Sequence, residues 1–253
     1  MKKVVTISAL MLLIAGVASA ANLGTSGSTA PQQGSYTPPL VPVTITQNLD
    51  TTTILSGNSV SCNNGVSHTD NAYLRRFDLF VDHAITDVFS VMSVDWAVEI
   101  SRTASNPNPQ PADVNLYSIP WDAAFTYANM TMVGTATALI AVDGTMDGMP
   151  VNTVVAGSVT STAASAQVDH LVVEIFTPDG EIDGYAMWIG SNDGGEIEDS
   201  YLVAVDCGIS EPTAVGAIGF PTMHVIMMVN GDTDAPPTPT EETHWGTLKS
   251  LYQ

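Results

Sequence analysis

The chain is a succession of short apolar runs rich in β-branched residues, each closed by Gly, Pro, Asn or Asp. No long stretch repeats its apolar residues at helical spacing. β-Branched and aromatic side chains fit a pleated, half-buried surface, and the residues between the runs are those that turns require. VTIT at Val43–Thr46, VNLYSI, TMVGTATALIAV, VNTVVAG, LVVEIF, YAMWIG, YLVAV and HVIMMVN all read as strands. Val94, Trp96, Val98 and Ile100 alternate with Asp95, Ala97 and Glu99, the signature of a strand buried on one face. In VFSVMS, just before, the alternation slips by one residue around Met92 and Ser93, which predicts a bulge. Turn chemistry fills the gaps at Asn106–Pro111, Val142–Pro150 and Thr177–Gly184. The expectation is an all-β chain: a single β-sandwich or jelly roll of about nine to eleven strands, without internal repeat.

The ends read differently. Lys2 and Lys3, the apolar stretch Val4–Val17 and the small-residue site Ala18-Ser19-Ala20 form a secretory signal peptide over residues 1–20. Residues 21–42, rich in Gly, Ser, Thr, Pro and Gln, read as a flexible lead-in. The sandwich domain is expected over 43–230 and a Pro- and acid-rich linker over 231–243. In the tail, 244–253, Trp245, Leu248, Leu251 and Tyr252 share one face of a short helix. A helix that short needs a surface, supplied either by its own domain or by a docking partner.

Export makes the two cysteines informative. In an oxidising compartment Cys62 and Cys207 pair with each other, and are expected on neighbouring strands. Free thiols or a metal pair are the alternatives. The bond would close a loop of about 145 residues, worth on the order of 5 kcal/mol in the chain-entropy model. Such a staple joins the domain's start to its end and argues for one domain.

Charge excludes some partners. Against 26 acidic residues stand six basic ones, two of them in the signal peptide. Such a surface repels phosphate backbones and anionic lipid, so neither nucleic acid nor, after signal cleavage, membrane insertion is expected. Solubility outside the cell is the plain reading of this charge and a dedicated cation-binding surface the alternative; the expected localisation is secreted or extracellular, with periplasm or outer surface as the other destinations of an exported bacterial chain.

Two stretches carry a resemblance, SGNSVSCNNGVSHTDNAYLRRFDL from Ser56 to Leu79 and SYLVAVDCGISEPTAVGAIGFPTMHVIMMVNGD from Ser200 to Asp232. Together they resemble a group of secreted bacterial β-sandwich domains with a Ser-x-x-Cys-Asn entry, a Tyr-x-Arg-x-Phe strand and a Tyr-strand-Cys-Gly end followed by a Met-His strand. The resemblance implies a jelly roll of the galactose-binding type, and it transfers no catalytic residue.

Chemistry-bearing residues are few. Asp179, Glu181 and Asp183, with Gly184 after them, reproduce the first half of a calcium loop, so calcium is the one cofactor suggested. The position of the closing bidentate Glu is Gly190, and a polar hairpin turn between LVVEIF and YAMWIG is the alternative. Asp193, Glu196, Glu198 and Asp199 match no coordination loop and read as a solvated loop. No G-x-S-x-G, HExxH or other zinc spacing is present, so no catalytic motif marks an enzyme. Exposed Trp and Tyr rings stack on sugar faces while carboxylates and amides take the hydroxyls. Leu116–Thr131 offers Trp121 and Tyr127 as platforms with Asp122 and Asn129 as polar contacts; a hydrophobic cap on the sheet is the alternative. The functional expectation is a non-catalytic extracellular domain binding a glycan or another cell-surface component. A structural or assembly protein of the envelope or matrix comes second and a hydrolase third.

Overall fold

The computed structural model describes residues 40–85, 88–143, 150–160 and 169–234. The expected signal peptide, most of the expected lead-in and linker, and the tail residues Trp245, Leu248, Leu251 and Tyr252 with their expected helix lie outside the described residues. The first strand, β1 (Leu40–Thr46), pairs over its full length with the last, β13 (Met227–Asp234), from Leu40 opposite Asp234 to Thr46 opposite Met228. The expected domain edges at Val43 and Asn230 therefore fall inside these two strands.

Two antiparallel sheets make up the body. One carries β1, β13, β3 (Val88–Thr103) and β6 (Pro150–Thr160) in that order, with β8 (Tyr185–Ile189) beside the second half of β3. The other runs β11 (Ile209–Ala214), β10 (Ser200–Ala204), β2 (Asn71–Phe77), β7 (His170–Thr177), β4 (Gln110–Ile119) and β5 (Thr131–Ile140). A small ribbon joins β9 (Ser191–Asn192) to β12 (His224–Val225). The all-β, sandwich-like expectation holds, with thirteen strands among the described residues instead of nine to eleven. The additions explain themselves. β9 and β12 are too short to show a period. In β11 the strand pattern is hidden by Glu211 and Pro212, an edge strand being where both are tolerated. HVIMMVN divides because Ile226 leaves the ribbon and donates its N–H to the Gly190 carbonyl (3.1 Å).

Alternation along β3 survives folding. Phe89, Val91, Val94, Trp96 and Val98 are buried, and the pairings with β13 and β6 both skip Met92, which bulges out and is exposed. The side chains facing inward from both sheets form one core, including Tyr73 and Phe77 of β2, Leu116 of β4, Val173 and Ile175 of β7 and Val229 of β13. Trp96 is fully buried, and its indole N–H donates to Thr153 Oγ1 across to β6 (3.1 Å). On one side β5 and β6 abut backbone to backbone. A Cβ on Gly134 would lie 2.3 Å from the Ala156 carbonyl oxygen, so only glycine fits there.

Cys62 and Cys207 are bonded, with Cα atoms 5.9 Å apart. Neither lies on a strand, which corrects the expected placement. β2 and β10 pair antiparallel as far as Ala72 opposite Val203. Beyond that ladder Asn71 turns its side chain onto the Cys62 backbone, accepting its N–H at 2.7 Å and donating to its carbonyl at 3.1 Å. Cys207 ends a short 3-10 turn closed by Gly208 at φ 81°. The bond thus staples the entry of one strand to the exit of its neighbour.

Candidate functional site

Three loops converge where β3 ends and β4 and β8 begin. After β3, Thr103 Oγ1 accepts the N–H groups of Ser105 (3.2 Å) and Asn106 (2.9 Å), so the Asn-Pro-Asn-Pro loop turns at once. Asn106 Nδ2 donates to Asp183 Oδ1 (3.0 Å) and Ser105 Oγ to the Asp183 carbonyl (2.9 Å), tying this loop to the one before β8. Asn64 Nδ2 donates to Glu181 Oε1 (3.0 Å), adding the loop before β2. Gly180 closes over the buried His68; a Cβ there would meet the Tyr185 carbonyl at 2.8 Å and His68 Nε2 at 2.9 Å.

These loops leave two open clefts. One, of about 360 Å³, is lined by Thr103, Pro107, Pro109, Ala141, Val142 and Asp143. The other, of about 220 Å³, is lined by Gly65, Val66, Arg102, Thr103 and Ala104. Thr103 belongs to both, and beside it the exposed Arg102 lays its guanidinium over the Trp188 ring, 5.0 Å from the centroid. Cation–π contact holds a flexible side chain in one place without using its hydrogen-bond donors. Arg102 is thus exposed to solvent, with Asp143 bridged to it backbone to backbone. Sequence reasoning missed this pair. Trp188 read as one more apolar residue of a strand, and only the β3–β8 register, with Arg102 opposite Ala186 and Ile100 opposite Trp188, makes them neighbours.

The expected calcium ligands are at this same end but do not converge. Asp179 Oδ1 accepts the Glu181 N–H (2.8 Å), while the Glu181 and Asp183 carboxylates accept from Asn64 and Asn106 respectively. Among the described residues no group of three or more His, Cys, Asp or Glu side chains is placed to hold a metal ion. Nor is Thr177–Gly184 a hairpin, because β7 and β8 belong to different sheets and the segment crosses between them.

The aromatic loop lies at the other end of the sandwich, where β4 leaves at Ile119 opposite His170. Leu116 to Ile119 are strand, and the loop that follows covers the outer face of the six-stranded sheet. Phe125 sits edge-on to Tyr201 (centroids 4.6 Å apart) with Arg76 above it at 5.4 Å. Tyr127 donates its hydroxyl to Glu174 Oε2 (2.5 Å), and Tyr117 donates to Oε1 (3.2 Å), which also accepts from Asn115 (2.8 Å). Burial first, and the Glu174 charge after it, push both phenols well above the ordinary tyrosine value. A buried carboxylate with three donors is fully satisfied, so this network anchors the loop. Asn129 is used inside the loop, donating to the Ala124 carbonyl (2.8 Å). Trp121, 42% exposed, and Asp122 face solvent. The hydrophobic-cap alternative describes Phe125 and Tyr127, whose rings pack on Leu74, Val172 and Val203.

The acidic run 193–199 is not a uniformly solvated loop. Glu196 Oε2 lies 2.7 Å from Nη1 of Arg75, whose side chain is wholly buried, and accepts the Ser200 hydroxyl (2.8 Å). One carboxylate of the run was needed inside, and spacing alone could not say which.

Among the described residues no helix is long and apolar enough to cross a membrane, and the disulfide fits an oxidising compartment. No family model, curated protein or solved structure matches the chain.

Proposed function

We propose that the protein is an exported, non-catalytic binding domain that takes a glycan in the clefts flanking Arg102. The observation that carries this reading is the Arg102–Trp188 stack, whose arginine lines one open cleft that shares Thr103 with a second. A sugar presents paired hydroxyls and apolar C–H faces. A guanidinium held flat supplies a planar fork of donors, carboxylates accept from the same hydroxyls, and the prolines and Val66 offer apolar contact. The strongly acidic chain favours neutral over acidic sugars. The sequence resemblance to galactose-binding-type jelly rolls and the signal peptide point the same way.

A screen of the mature protein against immobilised neutral and acidic oligosaccharides tests this. Binding to a neutral glycan is expected, with affinity reduced at least about tenfold by Arg102→Ala, the range typical of a desolvated charged contact. The exposed position should keep the melting temperature of that variant close to wild type. If Trp121→Ala abolishes binding and Arg102→Ala does not, the ligand sits at the aromatic loop instead. Failure to bind any glycan would remove the reading.

Assembly is the second reading, on one observation. β5 and β6 contain no charged residue, yet Met132 (52%), Leu139 (70%) and Val154 (77%) are exposed on them. In so acidic a chain, such a face is where two copies meet with least repulsion. Sedimentation velocity should then show association that Leu139→Glu and Val154→Glu suppress. A monomer at all concentrations excludes it.

A further inference from the structure

The corner where β2 ends and β7 begins gathers polar groups that the proposed function does not use. Past Phe77 the chain turns on Asp78, whose Oδ1 accepts the N–H groups of Phe80 (3.1 Å) and Val81 (2.9 Å). Its Oδ2 lies 3.4 Å from Nε2 of His170, the first residue of β7. His83 packs on the Phe77 ring, centroids 5.9 Å apart. The loop closes on itself through Asp82, Ala84 and Ile85, whose N–H groups donate to Asp78, Phe80 and Leu79 carbonyls. Ala84 stands at φ 53°, a left-handed conformation that a residue with a Cβ rarely adopts. His83 Nε2, His170 Nδ1 and Asp82 Oδ2 are buried without a hydrogen-bond partner among the described residues.

We propose that this corner is a proton-operated latch, in which neutral His83 and His170 hold the 78–85 loop against the sheet and protonation of the two rings releases it. His170 is only 9% exposed. With the neutral ring's proton on Nε2, which faces Asp78 Oδ2 at 3.4 Å, Nδ1 carries the lone pair; a second proton turns Nδ1 into a buried donor with no acceptor among the described residues. His83 Nε2 meets the same difficulty. Releasing the loop gives both rings water.

The groups facing the rings come from three elements. Arg76 lies on β2, Asp78 and Asp82 on its loop, and Asp169 precedes β7; from the segment before β10, Glu198 acts on Asp78 and Asp82. The carboxylates Asp78 and Asp82 favour charged rings, but burial, the larger effect, holds both below their ordinary 6.5. Protons therefore bind the released form more tightly. The latch is fully closed above pH 6.5 and loosens as pH falls through that value. Glu198 works the other way: burial raises its carboxyl above the usual 4.5, so its protonation favours the closed corner at lower pH.

Amide hydrogen exchange of the full chain, expressed as protection factors so that intrinsic pH effects cancel, reads the latch directly. Between pH 7.5 and 5.5 the Asp82, Ala84 and Ile85 amides should lose at least about tenfold in protection while Val94 and Val173 in the core keep theirs. His83→Gln and His170→Gln should each flatten that dependence. Should those variants fold poorly, NMR titration of the two wild-type rings serves instead, with both midpoints expected below 6.5. Protection that is flat with pH, that falls in step with the core, or rings that titrate at or above 6.5 would overturn the latch.

Discussion

Replacing Cys62 and Cys207 together by serine is expected to remove about 5 kcal/mol of unfolding free energy. The bond spans 145 residues of sequence, so its loss frees most of the described domain in the unfolded state. Nothing in the folded state compensates, because the Cys62 backbone is already engaged by Asn71 and the Cys207 turn is already closed by Gly208. Urea denaturation should place the double variant and the reduced wild type at the same midpoint, well below the oxidised protein. In heat the difference corresponds to a fall of about 10–20 °C for a domain of this size. A loss under about 1 kcal/mol would mean that the unfolded chain is already compact enough to hold these two ends together.

Glu196→Ala is expected to cost about 3–5 kcal/mol, the range for leaving one partner of a buried ion pair alone. Arg75 is threaded through the core side of β2. Nε and Nη2 donate to the Val225 carbonyl (3.0 and 2.6 Å), and Nη1 donates to the Glu198 carbonyl (2.7 Å) and meets Glu196 (2.7 Å). One guanidinium thereby fastens three segments that are distant in sequence. Burial draws its pKa down to about 10, with Glu196 opposing the fall, so Arg75 stays charged at neutral pH and its charge needs that carboxylate. The interaction is best isolated by a double-mutant cycle. Arg75→Met with Glu196→Ala should lose less than the sum of the single losses by about 0.5–3 kcal/mol. Strictly additive losses would show that the two side chains act independently.

Much of the fold was legible along the chain because strands write a period of two wherever one face is buried. β3 shows this in Val94, Trp96 and Val98, and the interruption at Met92 proved to be a bulge for the same reason: an extra residue on one strand reverses the faces on either side. The disulfide was legible because only one pairing is available to two cysteines. β9 was not legible and β12 was read only as the start of HVIMMVN, since a two-residue strand is set apart only by the partner that receives its hydrogen bonds.

The sites behaved differently. Asp179, Glu181 and Asp183 have a spacing that suits convergence on an ion, yet each is drawn aside by a neighbour, Asn64 and Asn106 arriving from other loops. Tyr127 has the composition of a binding platform and is instead committed to Glu174, a residue hidden in the apolar run LVVEIF. Conversely Trp188 and Arg102, unremarked in their own segments, form a stack whose arginine lines one of the clefts. Local pattern governs which residues become strands, because steric preference and the alternation of burial act between near neighbours. Which carboxylate is buried, which ring is free and which cation faces solvent depend on sheet order and register. Those are settled by contacts between segments such as β2 and β7, or β3 and β8, that lie far apart in sequence and come together only when the two sheets close on their shared core.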